Sequence, residues 1–359
     1  ICKCCQRNST INLDRNLLPK MMLMIIFFVV QNYKNKTLSE ILDVKKLEAV
    51  DKPIEAANGL PNECYTSNDY LSYERDKVFC NKWSVVGVGS SIPNPGDIKP
   101  YNLLGIPLIL VRDKDMGIRV FHNVCSHRGF KLLDKPCNLK NVIRCPYHSW
   151  SYDLRGNLIA TPHIGGLNKH QTEKFVKSKN NLKEIKSKIW MDIIFVNINS
   201  NEIDFDEYIK PLEQRWSEFI KKGDQKLIVH SNDYGYFNLS VNCNWKFAIE
   251  NYCESYHLPT IHPELNKVSN INDHYHIQGL PNRFAGQGSK KYEQLVRGNS
   301  KFNTFPNWEK SKLKNSEYIA LFSNVMIGLH IDHFYAFWLE PTAINKTIEH
   351  MQMYYVGNE

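Results

Sequence analysis

Short apolar runs separated by turn residues fill the region from about residue 83 to residue 200. Trp83–Val88, Ile106–Val111 and Ile118–Val124 are such runs, and Asp113–Gly117 is one of the polar segments between them. Apolar runs of this length bounded by Pro, Gly and Asp predict short strands joined by tight turns. The pattern closes with Ile189–Ile198. It predicts a small antiparallel β domain.

The pattern changes after residue 201, where helical and strand-like stretches mix. Apolar residues recur at helical spacing in Phe205–Lys222 and Trp245–Tyr256, and strand-like patterns occupy Tyr234–Val241, His333–Leu339 and Thr347–Val356. Such a mix is typical of the α+β class. We therefore expect a second domain with an antiparallel sheet flanked by helices.

Four segments follow from these patterns. We predict a non-native or disordered leader over 1–37, a helical lead-in over 38–82, the β domain over 83–200 and the mixed domain over 201–359. At 359 residues the chain is long enough for two domains with cores. The apolar run at 21–30 is too short to cross a bilayer. We interpret it as translated upstream sequence, with the native start at or after Met21, and expect no membrane association.

Charge and cysteine content narrow the function classes. The net charge is +8, and Lys and Arg are scattered without a basic stripe. This distribution indicates a solvated surface and disfavours a nucleic-acid partner. The chain has ten Cys, and Cys64, Cys80, Cys243 and Cys253 have no regular spacing. Irregular cysteines favour small buried thiols in a reducing, cytoplasmic setting over a disulfide framework.

Two pairs of metal-binding residue types stand close together in the β domain. Cys125 and His127 form the first pair, and Cys145 and His148 form the second. A Cys and a His on each of two neighbouring loops match the ligand set of a [2Fe–2S] cluster in which two His replace two Cys on one iron. Tetrahedral zinc is the alternative, but zinc fingers usually group Cys with Cys and His with His. The mixed pairs favour the cluster.

A second constellation lies in the mixed domain. Glu254 and His257 are three positions apart and share a face of a predicted helix. His262 is five positions after His257, or about 140° around an ideal helix. We expect Pro259 to break the helix between them and to let both imidazoles reach one metal. Two His and a carboxylate are the ligands of non-haem Fe(II) oxygenases.

These motifs resemble those of the Rieske non-haem iron oxygenases, α (terminal oxygenase) subunits. The similarity rests on C-S-H-R-G from Cys125, on C-P-Y-H-S-W from Cys145 and on the acid followed by H-x4-H, and it covers roughly residues 60 to 359. Respiratory-chain Rieske proteins have a further Cys where this chain has Phe130 and Tyr147, so the oxygenase and ferredoxin type is favoured. The resemblance implies that 83–200 is a Rieske [2Fe–2S] domain and that 201–359 is a catalytic domain.

The resemblance also implies residue roles and a reaction. Cys125, His127, Cys145 and His148 would hold the cluster, and His257 and His262 would hold a mononuclear Fe(II). Glu254 would be the bridging acid between the iron site and the cluster of a neighbouring subunit. Electrons from a separate reductase or ferredoxin would pass through the cluster to the iron, which would activate O2 and hydroxylate a small organic substrate. The family implies a homotrimer.

The third iron ligand is not evident in the chain. The family places an Asp far downstream of the two His, so we expect this ligand beyond Glu359, in a chain that is truncated. Asp332 is the one substitute that the sequence offers. A Rieske-type electron-transfer protein without oxygenase activity remains the alternative function.

Substrate class is less constrained. A Glu at position 254, with the short run from Glu250 to His257, is similar to the branch acting on quaternary ammonium compounds such as carnitine or glycine betaine, whereas many ring-hydroxylating members have Asp. Four aromatic residues are candidates for a cation-binding cage, with the sheet core as their alternative location. They are Tyr318, Phe322, Phe334 and Trp338.

Overall fold

Two antiparallel sheets build the larger of the two units into which the chain divides, residues 60–359; the other unit is residues 1–59. The structure is a computed structural model that describes residues 36–53, 55–230 and 235–357. In the smaller unit, the described helices are α1 (Leu38–Ile41) and α2 (Lys45–Glu48). Apart from residues 36 and 37, the predicted leader lies outside the described residues.

A seven-stranded sheet forms from the region in which the sequence predicts short strands. Its strands pair in the order β1-β10-β9-β4-β3-β2-β5, all antiparallel. A three-stranded sheet, β6-β7-β8, accompanies it. The strands are β1 (Ser84–Val88), β2 (Asp97–Leu103), β3 (Ile106–Arg112), β4 (Ile118–His122), β5 (Cys137–Asn138), β6 (Val142–Arg144), β7 (Ser151–Asp153), β8 (Leu158–Ala160), β9 (Glu184–Trp190) and β10 (Ile193–Asn197).

An eight-stranded antiparallel sheet forms the second half of the larger unit. Its order is β11-β20-β19-β18-β17-β14-β13, and β12 also pairs with β20. A small hairpin, β15-β16, stands apart. The strands are β11 (Ile228–His230), β12 (Tyr236–Val241), β13 (His274–Leu280), β14 (Phe284–Ser289), β15 (Val296–Arg297), β16 (Ser300–Lys301), β17 (Ser316–Leu321), β18 (Val325–Leu329), β19 (His333–Ala343) and β20 (Lys346–Val356).

Helices precede the first sheet and accompany the second. The α-helices of the larger unit are α3 (Glu63–Thr66), α4 (Asn68–Glu74), α5 (Phe205–Trp216), α6 (Trp245–Tyr252), α7 (Leu258–Ile261) and α8 (Pro263–Val268). A π-helical turn, Arg75–Phe79, follows α4. Short 3₁₀ turns occupy Gly89–Ser91, Lys177–Asn180, Asp224–Leu227, Ile271–Asp273 and Lys310–Lys312. Of the residues that the structure describes, none belongs to a helix with the length and apolarity that a membrane crossing needs.

The predicted α+β class is confirmed, and so is the small antiparallel β domain. The run Ile189–Ile198, with which the predicted pattern closes, contains a hairpin, because β9 ends at Trp190 and β10 begins at Ile193. Met191 and Asp192 form the hairpin loop between them, both with positive φ. Asn-Gly or Asp-Gly usually marks such a two-residue turn, and neither is present here. The predicted domain boundaries stay predictions.

Three buried apolar clusters hold the larger unit together. The largest packs α5 and strands of the second sheet against Trp83 and Phe195. A second cluster joins the first sheet to Trp245 of α6. The third surrounds the two Cys of the predicted cluster site, Cys125 and Cys145. The second cluster thus anchors the helix that precedes Glu254, and the third surrounds the predicted cluster site.

Candidate functional site

The first cluster loop, between β4 and β5, is closed by its own backbone. The Cys125 N–H donates to the carbonyl of Phe130 at 2.8 Å, and the Gly129 N–H donates to the carbonyl of Cys125 at 2.9 Å. Gly129 has a φ of 68°, a left-handed conformation that glycine adopts without steric cost. This tight loop brings His127 to the same end of the domain as Cys125.

The second cluster loop, between β6 and β7, repeats the same arrangement. The Cys145 N–H donates to the carbonyl of Trp150 at 2.8 Å, and the Ser149 N–H donates to the carbonyl of Cys145 at 3.0 Å. Ser149 takes the left-handed position with a φ of 57°. Each loop thus presents one thiol and one imidazole through the same local geometry, with His148 as the imidazole of the second loop.

The two thiols are buried and the two imidazoles lie nearer the surface. Cys125 is 2% exposed and Cys145 is 1% exposed. Burial raises the pKa of the Cys125 thiol, so in the metal-free chain the thiol is held protonated until a metal displaces the proton. Burial lowers the pKa of His127, and the neighbouring His148 lowers it further. A neutral imidazole is the form that binds metal.

A tyrosine hydroxyl contacts one of the thiols. The Tyr152 hydroxyl lies 3.2 Å from Cys125 Sγ. Its oxygen accepts from the Ser126 N–H at 3.1 Å, which leaves the hydroxyl proton free to point at the sulfur. Tyr152 lies on β7, just beyond the second loop. No local sequence pattern marks Tyr152, because its hydroxyl reaches a loop that lies 27 positions earlier in the chain.

The residues of the two loops fit a [2Fe–2S] cluster. The rings of His127 and His148 have centroids 4.8 Å apart. With metal–nitrogen distances near 2.1 Å, two imidazoles bound side by side to one ion have centroids roughly 5 Å apart. The structure therefore brings the two imidazoles together and places the two thiols in one buried cluster, and their role as cluster ligands stays a prediction.

The segment that carries the second constellation is not a single helix. Helix α6 ends at Tyr252, and Glu254 lies in the irregular stretch that follows. His257 is the N-cap residue of α7, and His262 separates α7 from α8. The expectation that Pro259 breaks a helix between the two His is wrong. Pro259 lies in the first turn of α7, where its missing N–H costs no hydrogen bond.

Both histidines nevertheless approach each other. The rings of His257 and His262 have centroids 5.3 Å apart and an interplanar angle of 78°. That spacing suits two imidazoles on one ion, by the same arithmetic as for the cluster loops. Glu254 Oε1 contacts His257 Nδ1, and Glu254 Oε2 accepts from the backbone N–H of Tyr256. The carboxylate therefore holds the proton on Nδ1 and leaves Nε2 free for a metal.

The structure does not supply a third ligand to this pair. Among the described residues, no three His, Cys, Asp or Glu side chains gather where they could hold one ion. Asp332 accepts hydrogen bonds from Tyr292 Oη at 2.8 Å and from the Leu295 N–H at 2.6 Å. Its Oδ1 also lies 2.8 Å from His333 Nδ1. These partners occupy both carboxylate oxygens, so Asp332 is unsuited as a substitute, and the expected ligand beyond Glu359 stays a prediction.

A cavity of about 1050 Å³ opens beside the two histidines. Its wall combines the site residues with several aromatic rings. The lining residues include Glu254, His257, His262, Tyr252, Tyr292, Tyr318, Tyr335, Phe337, His330 and His333. The wall draws on the helices α6, α7 and α8, on the strands β13, β14, β17 and β19, and on the loops between them.

The four aromatic cage candidates divide among three locations. Phe334 and Trp338 are buried in the largest apolar cluster, so the core interpretation holds for them. Tyr318 lines the cavity. Phe322 lines a smaller neighbouring cavity of about 290 Å³. Only one of the four therefore faces the space beside the histidines.

A buried imidazole completes the cavity wall. His330 stacks on His333 with ring centroids 4.1 Å apart. Neither of its ring nitrogens has a hydrogen-bond partner in the described part of the chain. Burial holds the pKa of His330 well below its usual range, and the neighbouring His333 lowers it further. The ring is neutral at physiological pH, so His330 adds no positive charge to this wall.

Two protein families match the chain. The Rieske [2Fe-2S] domain matches residues 82–171, and the ring hydroxylating alpha subunit (catalytic domain) matches residues 229–359. The first match favours the cluster over the zinc alternative. The second disfavours an electron carrier without a catalytic domain.

Curated relatives are oxygenase subunits. The carnitine monooxygenase oxygenase subunit of Acinetobacter pittii (strain PHEA-2) is 31% identical over 220 residues, which are 60% of this chain and 56% of the relative. The benzene 1,2-dioxygenase subunit alpha of Pseudomonas putida is 30% identical over 57% of this chain and 44% of its own length. This chain thus spans about half the length of these relatives.

Solved structures share the fold. The quaternary ammonium Rieske monooxygenase CntA in complex with L-carnitine superposes with a TM-score of 0.67 at 23% identity, covering 84% of this chain and 77% of that one. Naphthalene 1,2-dioxygenase from Rhodococcus sp. superposes with a TM-score of 0.62 at 17% identity, covering 82% of this chain and 72% of that one. At these identities the likeness extends to the fold alone.

Proposed function

The chain belongs to the α subunits of the Rieske non-haem iron oxygenases, and from that premise we propose that it is the terminal oxygenase component of a hydroxylating system. When bound, the [2Fe–2S] cluster and the mononuclear iron supply electron transfer and the activation of O2 for insertion into a substrate. The observation that carries the proposal is that the chain brings two histidine rings close together at two places, His127 with His148 and His257 with His262.

We propose that the two irons of the cluster have different ligands, and that each loop contributes one ligand to each iron. Cys125 and Cys145 would bind one iron from the buried side, and His127 and His148 would bind the other near the surface. The Tyr152 hydroxyl donates toward Cys125 Sγ and so stabilises negative charge on the sulfur.

At the second site, Glu254 acts through His257. Its carboxylate keeps the imidazole proton on Nδ1, so that Nε2 of His257 and a nitrogen of His262 can bind the iron. Asn251 Nδ2 lies 3.4 Å from the same Nδ1. Because Glu254 is 43% exposed on its side chain, it is also accessible to a second subunit. That exposure supports its proposed role as the bridging acid.

A quaternary ammonium compound is the first substrate candidate. The rings of Tyr252, Tyr292 and Tyr318 line the cavity, and faces of aromatic rings attract cations. The neutral His330 adds no opposing charge. Glu293 adds an acidic group to the same wall, and Lys267 and Lys291 add basic groups. Both lysines are paired with carboxylates, Lys267 with Glu264 and Lys291 with Asp273. Aromatic substrates, as named for the benzene relative, are the other outcome that an assay must distinguish.

We propose a homotrimer that receives electrons from a separate reductase or ferredoxin in the cytoplasm. Two exposed apolar faces support contact between copies. One surrounds Glu254, where Tyr256 is 87% exposed and Ile261 is also exposed. The other flanks the cluster histidines, where Phe130 and Tyr147 are exposed with ring centroids 5.4 Å apart. Burying one face against the other would place a cluster beside Glu254 of the next subunit.

Iron content tests the proposal directly. After reconstitution, an oxygenase should bind roughly three irons per chain and a carrier roughly two, since the cluster accounts for two. Exchanging both His257 and His262 for Ala should remove one iron and leave the visible absorption of the cluster unchanged. If a protein that also carries the third ligand expected beyond Glu359 binds only the cluster, the oxygenase proposal fails. Oxygen uptake with reductant and either carnitine, glycine betaine or benzene then separates the substrate classes.

A further inference from the structure

One side chain of the second sheet, Gln287, holds the start of the segment that carries Glu254, His257 and His262. Gln287 Nε2 donates to the carbonyls of both Tyr252 and Glu254, each at 2.9 Å. Tyr252 is the last residue of α6, so its carbonyl lacks an intrahelical partner. Gln287 therefore satisfies the open end of α6 and holds the chain where the helix stops.

The same glutamine reaches the end of the segment through a histidine. Gln287 Oε1 lies 2.9 Å from His274 Nδ1, and His274 Nε2 lies 2.8 Å from Ser269 Oγ. Ser269 directly follows α8, the helix after His262. The three side chains thus form a connected chain that spans the metal-binding segment from Tyr252 to Ser269. We name Gln287, His274 and Ser269 the clamp.

Donor and acceptor roles in the clamp are determined by its ends. Two carbonyls can only accept, so the amide –NH2 of Gln287 must face them. Its Oε1 then accepts, which places the proton of His274 on Nδ1. His274 Nε2 is left as the acceptor for the Ser269 hydroxyl. Every polar atom in the chain therefore has one consistent role.

The strand that bears Gln287 allows the clamp to approach closely. Gly286 and Gly288 flank it in β14. A Cβ at Gly286 would come within 2.1 Å of the Tyr318 carbonyl oxygen, and one at Gly288 would come within 2.2 Å of the Tyr275 ring. Glycine within a strand marks close packing of this kind. β14 pairs on both sides, with β13 and β17, so the clamp is attached to an interior strand.

We propose that Gln287 is a positioning residue for the mononuclear iron site, acting with His274 and Ser269. By fixing the carbonyls of Tyr252 and Glu254, it sets the place from which the Glu254 carboxylate reaches His257 Nδ1. The metal-binding consequence rests on the proposed function, whereas the clamp itself is a property of the metal-free chain. Gln287 touches neither His257 nor His262 in any hydrogen bond of the described residues, so its effect passes through Glu254.

Amide exchange tests the clamp without metal at the second site. In Gln287→Glu, a carboxylate replaces the amide and faces two carbonyl oxygens, so its hydrogen bonds to them are lost. The amides of Tyr256 and His257, which donate to Glu254, should then exchange about tenfold faster. Gln278→Glu, an exposed change on the neighbouring β13, is the matched control and should leave exchange unchanged. Equal exchange in Gln287→Glu and the wild type would overturn the clamp.

Cobalt binding tests the consequence for the metal site. Co²⁺ added to cluster-loaded protein is followed by its visible absorption, and Gln287→Glu should weaken binding about 10- to 100-fold, with the cluster spectrum and Tm unchanged. Two substitutions at His274 test the clamp independently, in case the Gln287→Glu variant does not fold. His274→Asn keeps a donor near Nδ1 and should retain most of the affinity, whereas His274→Phe should lose it.

The outcomes separate the two hypotheses. Faster exchange with unchanged Co²⁺ affinity would make the clamp merely structural and overturn the positioning role. A wild-type protein that carries the third ligand expected beyond Glu359 and still binds no Co²⁺ at His257 and His262 would overturn the proposed function and, with it, the positioning role. Exchange in the metal-free chain would then still show whether the clamp exists.

Discussion

The cluster loops and the His257–His262 segment position their metal-binding side chains in different ways. Each cluster loop places its Cys and His through two backbone hydrogen bonds that span no more than five residues. The His257–His262 segment is a helix end, an irregular stretch and two short helices. Its shape depends on Gln287 and His274, which lie on other strands.

The difference separates a locally encoded site from a distributed one. In the loops, residue type and spacing already determine geometry, because a left-handed residue four positions after each Cys closes the turn. In the segment, the same helical spacing is compatible with several backbone paths, and contacts from the sheet select one. We expect local substitutions to damage the first site and remote substitutions to damage the second.

The largest expected effect is loss of the cluster. Cys145→Ser removes one of two buried thiols, and the cluster should be lost entirely, because a hydroxyl is a poor ligand for soft iron–sulfur chemistry. Visible absorption and iron content measure this loss. Cys137→Ser, at a partly buried cysteine on β5 outside the two loops, should keep the cluster. Retention of the cluster in Cys145→Ser would contradict the ligand assignment.

The next largest expected effect is on the free energy of unfolding and comes from an ion pair outside both candidate sites. Lys246 of α6 contacts Glu74 Oε1 at 2.8 Å, and Glu74 Oε2 accepts from Trp245 Nε1 at 3.1 Å. Both charged side chains are buried. Removing one partner of such a pair costs about 3–5 kcal/mol, because the other charge stays buried and unpaired. Lys246→Met should therefore lower the free energy of unfolding by about that amount, measured by urea unfolding at pH 8.

The loss in Lys246→Met should depend on pH in a defined direction. Burial already raises the pKa of Glu74 in the folded chain, partly offset by Lys246. A group whose pKa is raised on folding makes its full contribution to stability below its unfolded pKa, which is about 4.3 for Glu. That contribution is lost as the pH rises through the pKa of the folded state. The deficit of Lys246→Met should thus shrink from pH 8 to pH 5. An equal deficit at both pH values would show that lost packing, and not the unpaired carboxylate, is the cause.

A smaller effect is expected at the bridging acid. Glu254→Gln keeps the size of the side chain but weakens the acceptor for His257 Nδ1, so Fe²⁺ or Co²⁺ affinity should fall about 10- to 100-fold. The cluster spectrum should not change. The exposed Glu264→Gln on α8 is the matched control and should bind metal normally. Unchanged affinity in Glu254→Gln would show that His257 is oriented by other groups.

The smallest predicted effect concerns the potential of the cluster. Tyr152→Phe deletes the hydroxyl that contacts Cys125 Sγ. A hydrogen bond worth about 1 kcal/mol corresponds to roughly 40 mV for one electron, and its loss disfavours the more negative reduced state. The midpoint potential should fall by about that amount, measured by redox titration of the visible spectrum. A rise, or no change, would mean that the hydroxyl does not donate to the sulfur.

Much of the fold was predictable from patterns in the chain. The strands β1, β3 and β4, the helix α5 and the strand β20 lie where apolar runs predict them, whereas no predicted run covers β2. The predictions failed at connections. The Met191-Asp192 turn divides the run Ile189–Ile198 into two strands, and α6 ends before Glu254. Turns without Gly and helix ends without a cap signal leave no local mark.

By itself, the sequence determined the candidate ligands and the class of chemistry, because ligand identity and short loop closure depend on residues a few positions apart. Only the tertiary structure decided how the Glu254 segment breaks, that Asp332 is occupied by Tyr292 and the Leu295 N–H, and which aromatic rings face the cavity. These outcomes depend on contacts between residues distant in the chain. Such contacts form only when the two ends meet in the folded molecule, so no local pattern encodes them.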